Sequence, residues 1–339
     1  MPAVFDSLVA TQGMSPHKAW RVTFIVPLIC LIACGVGMIL LCPETPVGRW
    51  NEQAQRIQEN LEAHGLSGDS VVDVPGSVAD RAPSSTDEEK AESGSEKNAE
   101  VFDKEGGISK SEAVETAQGE TVIKPTFREA LPVLFSLQTL FHVATYGCSF
   151  GGELAINSIL SAYYKKNFPH LGQTKAGNYA SIFGFLNFVT RPLGGIVADV
   201  LYTRFGRNLW LKKGWITTCG LITGALLIAI GLVDPSEAKG SSIGLMVGLI
   251  SLMAIFHEAG NGANFALVPH VHPFANGILS GTTGGGGNFG GVIFAIIFRF
   301  MGNGKDYAMG LWVIGVIHIG LNLAVCWIPP IPKGQLGGH

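Results

Sequence analysis

The chain has 339 residues, 47% of them hydrophobic and only 14% charged, with a net charge of −3. An average soluble domain carries roughly 25% charged residues, so this balance, with 45 glycines and a positive mean hydropathy, points to helices that cross a membrane. The slight acidity excludes the general basic field that nucleic-acid binding requires.

A bilayer core about 30 Å thick needs roughly 20 apolar residues of helix. Seven stretches meet that length. The first is Val22 to Cys42. The second is Leu131 to about Tyr163, interrupted by Gly147, Gly151 and Gly152. The third is Ala176 to Ala198, the fourth Trp215 to Val233, and the fifth Ile243 to about Val268. The sixth, Gly277 to Phe300, is dense in glycine. The seventh is Tyr307 to Ile328, closed by Pro329 and Pro330. The first run is too long for the apolar part of a signal peptide.

Between the first and second spans the composition changes. From Glu44 to Glu129 lie 19 of the 26 acidic residues and nine of the 23 basic ones. Such a stretch cannot bury enough apolar surface to offset its chain entropy. It reads as an acidic linker over 43–127, with an amphipathic helix from Trp50 to His64. Ser84, Ser85, Thr86 and Ser93 are candidate kinase sites within it. The organisation expected is therefore residues 1–42 as tail and first span, 43–127 as linker, 128–330 as a six-helix unit, and 331–339 as a C-terminal tail. The fold class is all-α, a polytopic membrane protein with about seven transmembrane helices.

Short loops rich in Lys and Arg stay in the cytoplasm. Arg204, Arg207, Lys212 and Lys213 join the third and fourth spans and place that loop inside. Alternation then puts the linker and the C-terminal tail with Lys333 inside, and the loop around Asp234, Glu237 and Lys239 outside. The six cysteines, Cys30, Cys34, Cys42, Cys148, Cys219 and Cys326, all lie in or beside apolar runs without the CxxC spacing of a zinc site. They are expected to be buried, inert thiols. No metal and no cofactor motif is present, and the chain does not read as an enzyme.

Three segments carry chemistry. Gly195-Ile-Val-Ala-Asp199 followed by Arg204-Phe-Gly206-Arg207 lies where the third span reaches the cytoplasm. An Asp at a helix end that pairs with a cation in one state and releases it in another makes a gate. Arg191 lies inside the third span, in Thr190-Arg191-Pro192-Leu193-Gly194. A cation there costs at least about 2.5–3.5 kcal/mol. Its planar fork suits a planar oxyanion, although snorkelling or a structural carboxylate pair also explains it. Gly284-Gly-Gly-Gly287-Asn288-Phe-Gly290-Gly291 lies within the sixth span, without the GK[ST] of a phosphate loop. Its glycines let helices approach closely, and Asn288 offers an amide donor. Glu153, His142, His257 and Glu258 are ionisable residues within spans, suited either to carrying a proton or to structural roles.

The Gly195 to Arg207 segment resembles the loop signature of the major facilitator superfamily. Gly284 to Gly291 is similar to the signature of its nitrate/nitrite porter branch. Glu258-Ala-Gly-Asn261-Gly-Ala-Asn264 and Tyr146-Gly-Cys-Ser-Phe150-Gly-Gly-Glu153 also resemble that family, especially its fungal high-affinity members, and so does the long hydrophilic loop. The resemblance implies a twelve-helix carrier built from two halves. This chain would then hold the C-terminal six-helix half and the single helix before it, with the first five helices absent and a missing N-terminal half or second chain as partner. It implies nitrate or nitrite transport with proton symport, for nitrate assimilation at the plasma membrane. By the same resemblance, Arg191, Asn288, Tyr146 and Phe150 would contact the substrate. Gly287 and Gly290 would allow close approach, and Gly195, Asp199, Arg204 and Arg207 would form the gate. A carrier for another small anion and a non-transporting membrane protein remain the alternatives.

Overall fold

The computed structural model describes residues 2–42, 127–234, 241–301 and 306–332. The helix expected from Trp50 to His64, the linker serines and Lys333 lie outside them. Among the described residues the chain is helical, without strands. Two short helices, α1 (Pro2–Ala10) and α2 (Pro16–Thr23), precede α3 (Ile25–Leu41). A third short helix, α4 (Phe127–Leu134), leads into six long ones. These are α5 (Leu137–Asn167), α6 (Gly172–Arg204), α7 (Leu209–Val233), α8 (Ile243–Val271), α9 (Asn276–Phe300) and α10 (Tyr307–Val325).

The helix starts follow from side chains that accept an otherwise orphaned backbone N–H. Ser136 accepts from Thr139 (3.1 Å), Asn208 from Trp210 (2.9 Å), Ser242 from Leu245 (3.2 Å) and Asp306 from Met309 (3.0 Å). The sequence boundaries differ from the structure in three places. The first span is jointed at Phe24, and the second begins only at Leu137, after a break at Phe135 and Ser136. Gly147, Gly151 and Gly152 do not interrupt α5. With no water in a bilayer to satisfy the backbone, the helical hydrogen bonds outweigh the weak helix propensity of glycine.

Among the described residues, five segments are long and apolar enough to cross a membrane: Pro16–Leu41, Pro169–Arg204, Leu209–Val233, Ile243–Val271 and Tyr307–Val325. α5 and α9 have the length but are less apolar, because they carry the polar and glycine-rich faces on which they pack. α5 lies against α9, α6 against α8, and α7 against both α8 and α10. Outward-facing Phe185, Phe188, Ile196, Phe289 and Phe300 are exposed, as expected of side chains whose solvent is lipid. α3 buries no residue against the rest of the chain. Cys30, Cys34 and Cys42 on it, and Cys326 at the end of α10, are exposed, so only Cys148 and Cys219 meet the expectation of buried thiols.

Two apolar clusters form the core. One joins Leu160, Tyr164, Phe183, Met253, Phe298 and Ile314. The other joins Phe141, Ile216, Leu267, Leu279, Val325 and Ile328. In every one of the six long helices the two clusters take opposite ends, which defines an antiparallel up-and-down bundle. Between them lies a polar layer: Tyr146 to Glu153 on α5, Asn187 and Arg191 on α6, and Glu258 and Asn261 on α8. Thr223 of α7, Gly287 of α9 and His318 of α10 complete it.

Candidate functional site

Arg191 is the cation of this layer. α6 runs unbroken through Pro192, and its register aims the guanidinium at α5. There Arg191 Nη2 donates to Glu153 Oε2 (3.2 Å) and to the Tyr146 hydroxyl (3.5 Å). Its carbon centre stands 5.4 Å from the Phe150 ring centroid, within the range of a cation–π contact. Both hydrogen bonds among the described residues use Nη2. The Nε and Nη1 edge of the fork is left for a second acceptor, and the side chain is 34% exposed.

The aromatic frame follows from helical spacing. Tyr146 and Phe150, four residues apart on α5, stack with centroids 5.1 Å apart and planes 6° from parallel. Phe265 of α8 meets Tyr146 edge-on at 5.0 Å. Gly287 leaves room for this pair. A Cβ there would sit 2.7 Å from Tyr146 and 2.8 Å from Phe150. Gly290 makes the next contact along α9, where a Cβ would collide with the Gly147 carbonyl of α5. Asn288, one step further around the helix, is exposed, and its amide donates to the Gly284 carbonyl of its own helix (2.9 Å). Arg191, Tyr146, Phe150 and Gly287 are thus brought together, whereas no hydrogen bond joins Asn288 to them.

The carboxylates behind Arg191 are more closely integrated than their sequence positions suggested. Glu153 accepts from Asn187 Nδ2, one turn before Arg191 on α6, and from Asn261 Nδ2 of α8 (2.8 Å). Asn261 also donates to Glu258 Oε2 (3.3 Å), one turn earlier on α8. Asn187, Asn261 and Phe265 were not singled out as site residues from sequence. The signal was there in their one-turn spacing from Arg191, Glu258 and Asn261.

The gate segment has a different partner from the arginines beside it. Asp199 pairs with Lys212 of α7 (2.8 Å). Arg204 and Arg207 are exposed, and Arg207 has a left-handed backbone with φ 59°. Lys212 also donates to the Ala266 carbonyl (3.1 Å), lies 3.0 Å from His270 Nε2 and stands 4.7 Å over the Tyr202 ring. It therefore ties α6, α7 and α8 together. Lys213 donates to the Cys326 carbonyl and sits over Phe141 and Trp210. Both lysines belong to the first turns of α7 and are only 2% exposed. This corrects their reading as loop charges: their aliphatic stems pack while the ammonium groups find acceptors.

A separate cavity lies against Phe5, Trp20 and Phe24. It has none of the charge chemistry of the Arg191 cluster.

A stability prediction follows for the gate segment. Asp199 is 61% exposed on its side chain, so its ion pair is worth about 0–1 kcal/mol, and Asp199→Asn is expected to lower thermal stability slightly. Lys212→Ala removes every link at once and is expected to cost about 2–3 kcal/mol. Thermal unfolding of the two variants in detergent checks this order, and equal losses would contradict it.

No protein-family model matches the chain, and no solved structure matches it. Among curated proteins, Elsinochrome transporter 1 of Elsinoe fawcettii is 40% identical over 336 residues, covering 96% of this chain and 63% of that protein. High-affinity nitrate transporter 2.3 of Oryza sativa subsp. japonica is 37% identical over 185 residues, 55% of this chain and 33% of its own length. Nitrate/nitrite transporter NrtP of Nostoc punctiforme is 34% identical over 154 residues, 45% of this chain and 28% of its own. The chain spans less than two thirds of the length of each of these relatives. The relatives' names, the all-α bundle of membrane-crossing helices and the motifs at Tyr146, Arg191 and Gly284 agree: the chain is similar to nitrate transporters and to a fungal transporter.

Proposed function

We propose that this chain is the C-terminal six-helix half, with one preceding helix, of a plasma-membrane carrier for nitrate or nitrite. The observation that carries the reading is the unused edge of the Arg191 guanidinium beside the stacked Tyr146 and Phe150 rings. A planar, singly charged oxyanion fits that edge by two parallel charge-assisted hydrogen bonds. The flanking rings bound its thickness and exclude water. The nitrate transporters among the relatives support the choice of anion.

Proton coupling follows from electrical work. Moving one negative charge into a negative-inside cell costs about 2.3 kcal/mol per 100 mV. A proton taken up with each anion removes that cost. The carrier needs no cofactor and no bond-making chemistry. Its movement takes place between this half and a second half, with Asp199 and Lys212 at the cytoplasmic closure of the bundle.

The test is nitrate uptake by transport-deficient cells expressing the full carrier that contains this segment. Tyr146→Ala is expected to raise KM roughly tenfold or more, because it removes both a ring wall and the Arg191 contact. It should leave the protein at the membrane. Uptake of neither nitrate nor nitrite by the unaltered carrier would overturn the substrate reading.

A second reading has one specific observation in its favour: the Elsinoe fawcettii relative matches nearly the whole chain. Export of the compound in that relative's name, or of a related organic solute, is the rival activity. Efflux measured in the same cells separates the two.

A further inference from the structure

We propose that Glu153 and Glu258 form a proton-holding pair, and that an anion arriving at Arg191 is exchanged for Glu153, which takes up a proton as it lets go. The inference rests on the reading of Arg191 as an anion site and names the groups that link that site to protons.

The geometry begins with a mismatch of charge. Two carboxyl groups, from α5 and α8, share a single amide donor. The amide of Asn261 lies between them, 2.8 Å from Glu153 and 3.3 Å from Glu258. Glu258 is fully buried, and its Oε1 has no partner among the described residues. An isolated buried carboxylate is costly unless it is paired or neutralised. Arg191 pairs with Glu153 alone. One guanidinium and two carboxylates leave a net negative charge in the polar layer, and a single proton on the pair cancels it.

Among the described residues, the neighbours of the pair offer no other group to cancel it. From α6 the pair meets Arg191 and Asn187, and from α8 it meets Asn261. On α5 itself the Tyr146 hydroxyl is held at Arg191. His257, adjacent to Glu258 in sequence, is turned away. Its Nε2 donates to the Ser149 carbonyl, and its Nδ1 lies 3.3 Å from the Met253 sulfur. His318 of α10 lies beside His257, with ring centroids 5.4 Å apart. α9 faces this region with Gly287, Gly290 and Gly291.

The exchange then balances. Before the anion arrives, Arg191 is positive, Glu153 is negative and Glu258 holds the proton. The anion takes the Nε and Nη1 edge of Arg191 and replaces Glu153 as the counter-charge, so the contact from Nη2 to Glu153 Oε2 breaks. An O–H bond forms on Glu153 with a proton from solvent. The layer is neutral in both states, with no charge left unpaired. Glu153 thus acts as a tethered stand-in for the substrate: it keeps the guanidinium satisfied when no anion is bound. Proton and anion bind together by linkage, each raising the affinity for the other.

The test uses the full purified chain in lipid nanodiscs, with two readouts. Calorimetric titration with sodium nitrate in buffers of different ionisation enthalpy is expected to give uptake of about one proton per anion, and affinity falling about tenfold per pH unit above the titration range. Glu153→Gln keeps the volume and hydrogen bonding but cannot exchange, so it is expected to bind nitrate without proton uptake and without pH dependence. Nitrate bound by the unaltered chain with no proton uptake, or pH dependence preserved in Glu153→Gln, overturns the proposal. The infrared band of a protonated carboxyl in the anion-free protein is the second readout. It is expected to be present and to be lost in Glu258→Gln, and an unchanged spectrum also overturns the proposal. If the unaltered chain binds neither nitrate nor nitrite, the substrate reading falls by itself, and the infrared comparison alone decides the proton pair.

Discussion

Arg191→Ala is expected to abolish nitrate uptake while the protein still reaches the membrane. The change removes the donor fork and also strands Glu153, which loses the 3.2 Å ion pair and keeps only the Asn187 and Asn261 amides. Arg191 is only partly buried, so its truncation is expected to cost about 2 kcal/mol, at the low end for a hydrogen-bonded charge pair, and the loss of anion affinity should be roughly 30-fold. Arg191→Lys separates charge from shape. The ammonium keeps the positive charge but has no planar fork, so a lesser weakening of binding is expected, with poorer discrimination between planar nitrate and spherical halides. Uptake and anion competition in the same cells check both variants. An Arg191→Ala carrier with unaltered KM would remove the guanidinium from the site.

The second large effect is steric. Gly290→Ala places a methyl group on the Gly147 carbonyl of α5, and a Cβ at Gly151 would in turn collide with the Gly290 and Gly291 backbone of α9. Both obstacles are backbone, so no side-chain rotation relieves the clash. α5 and α9 must separate, and overpacking of this kind costs about 1–3 kcal/mol. Because Tyr146 and Phe150 ride on the same face of α5, the separation also opens the aromatic frame. Gly290→Ala is therefore expected to lower both thermal stability and transport. Gly284→Ala is the control, since a Cβ at Gly284 meets nothing. Equal behaviour of the two variants in thermal unfolding and uptake would contradict the close α5–α9 contact.

These two cases mark where the sequence was informative. Arg191 was conspicuous because a cation in an apolar run is costly wherever it sits, and the cost is visible without coordinates. Tyr146 and Phe150 were legible through their four-residue spacing and the motif around them. The span cores were legible for the same reason: apolar length is a local property. What required the fold was register between helices. Nothing local to Phe-Gly-Gly-Glu says that Glu153 meets Arg191, 38 positions away, or that Asn261 joins it to Glu258. Lys212 and Lys213 looked like loop cations because their charge is local information, whereas their acceptors on α8 and at Cys326 are not. The three glycines of α5 were read as helix breakers from propensity alone. Their role emerges only with α9 laid across them. Asn288 shows the limit of a motif: it adjoins Gly287 in sequence, but a step of one residue turns about 100° around a helix, and its amide bonds to its own turn.

The measurement that tests the central claim most directly is a structure of the protein solved with nitrate present. A planar density is expected at the Nε and Nη1 edge of Arg191, beside the stacked Tyr146 and Phe150 rings, with Glu153 withdrawn from Nη2. Nitrate bound away from Arg191, or Arg191 still paired with Glu153 while nitrate occupies the site, would contradict it.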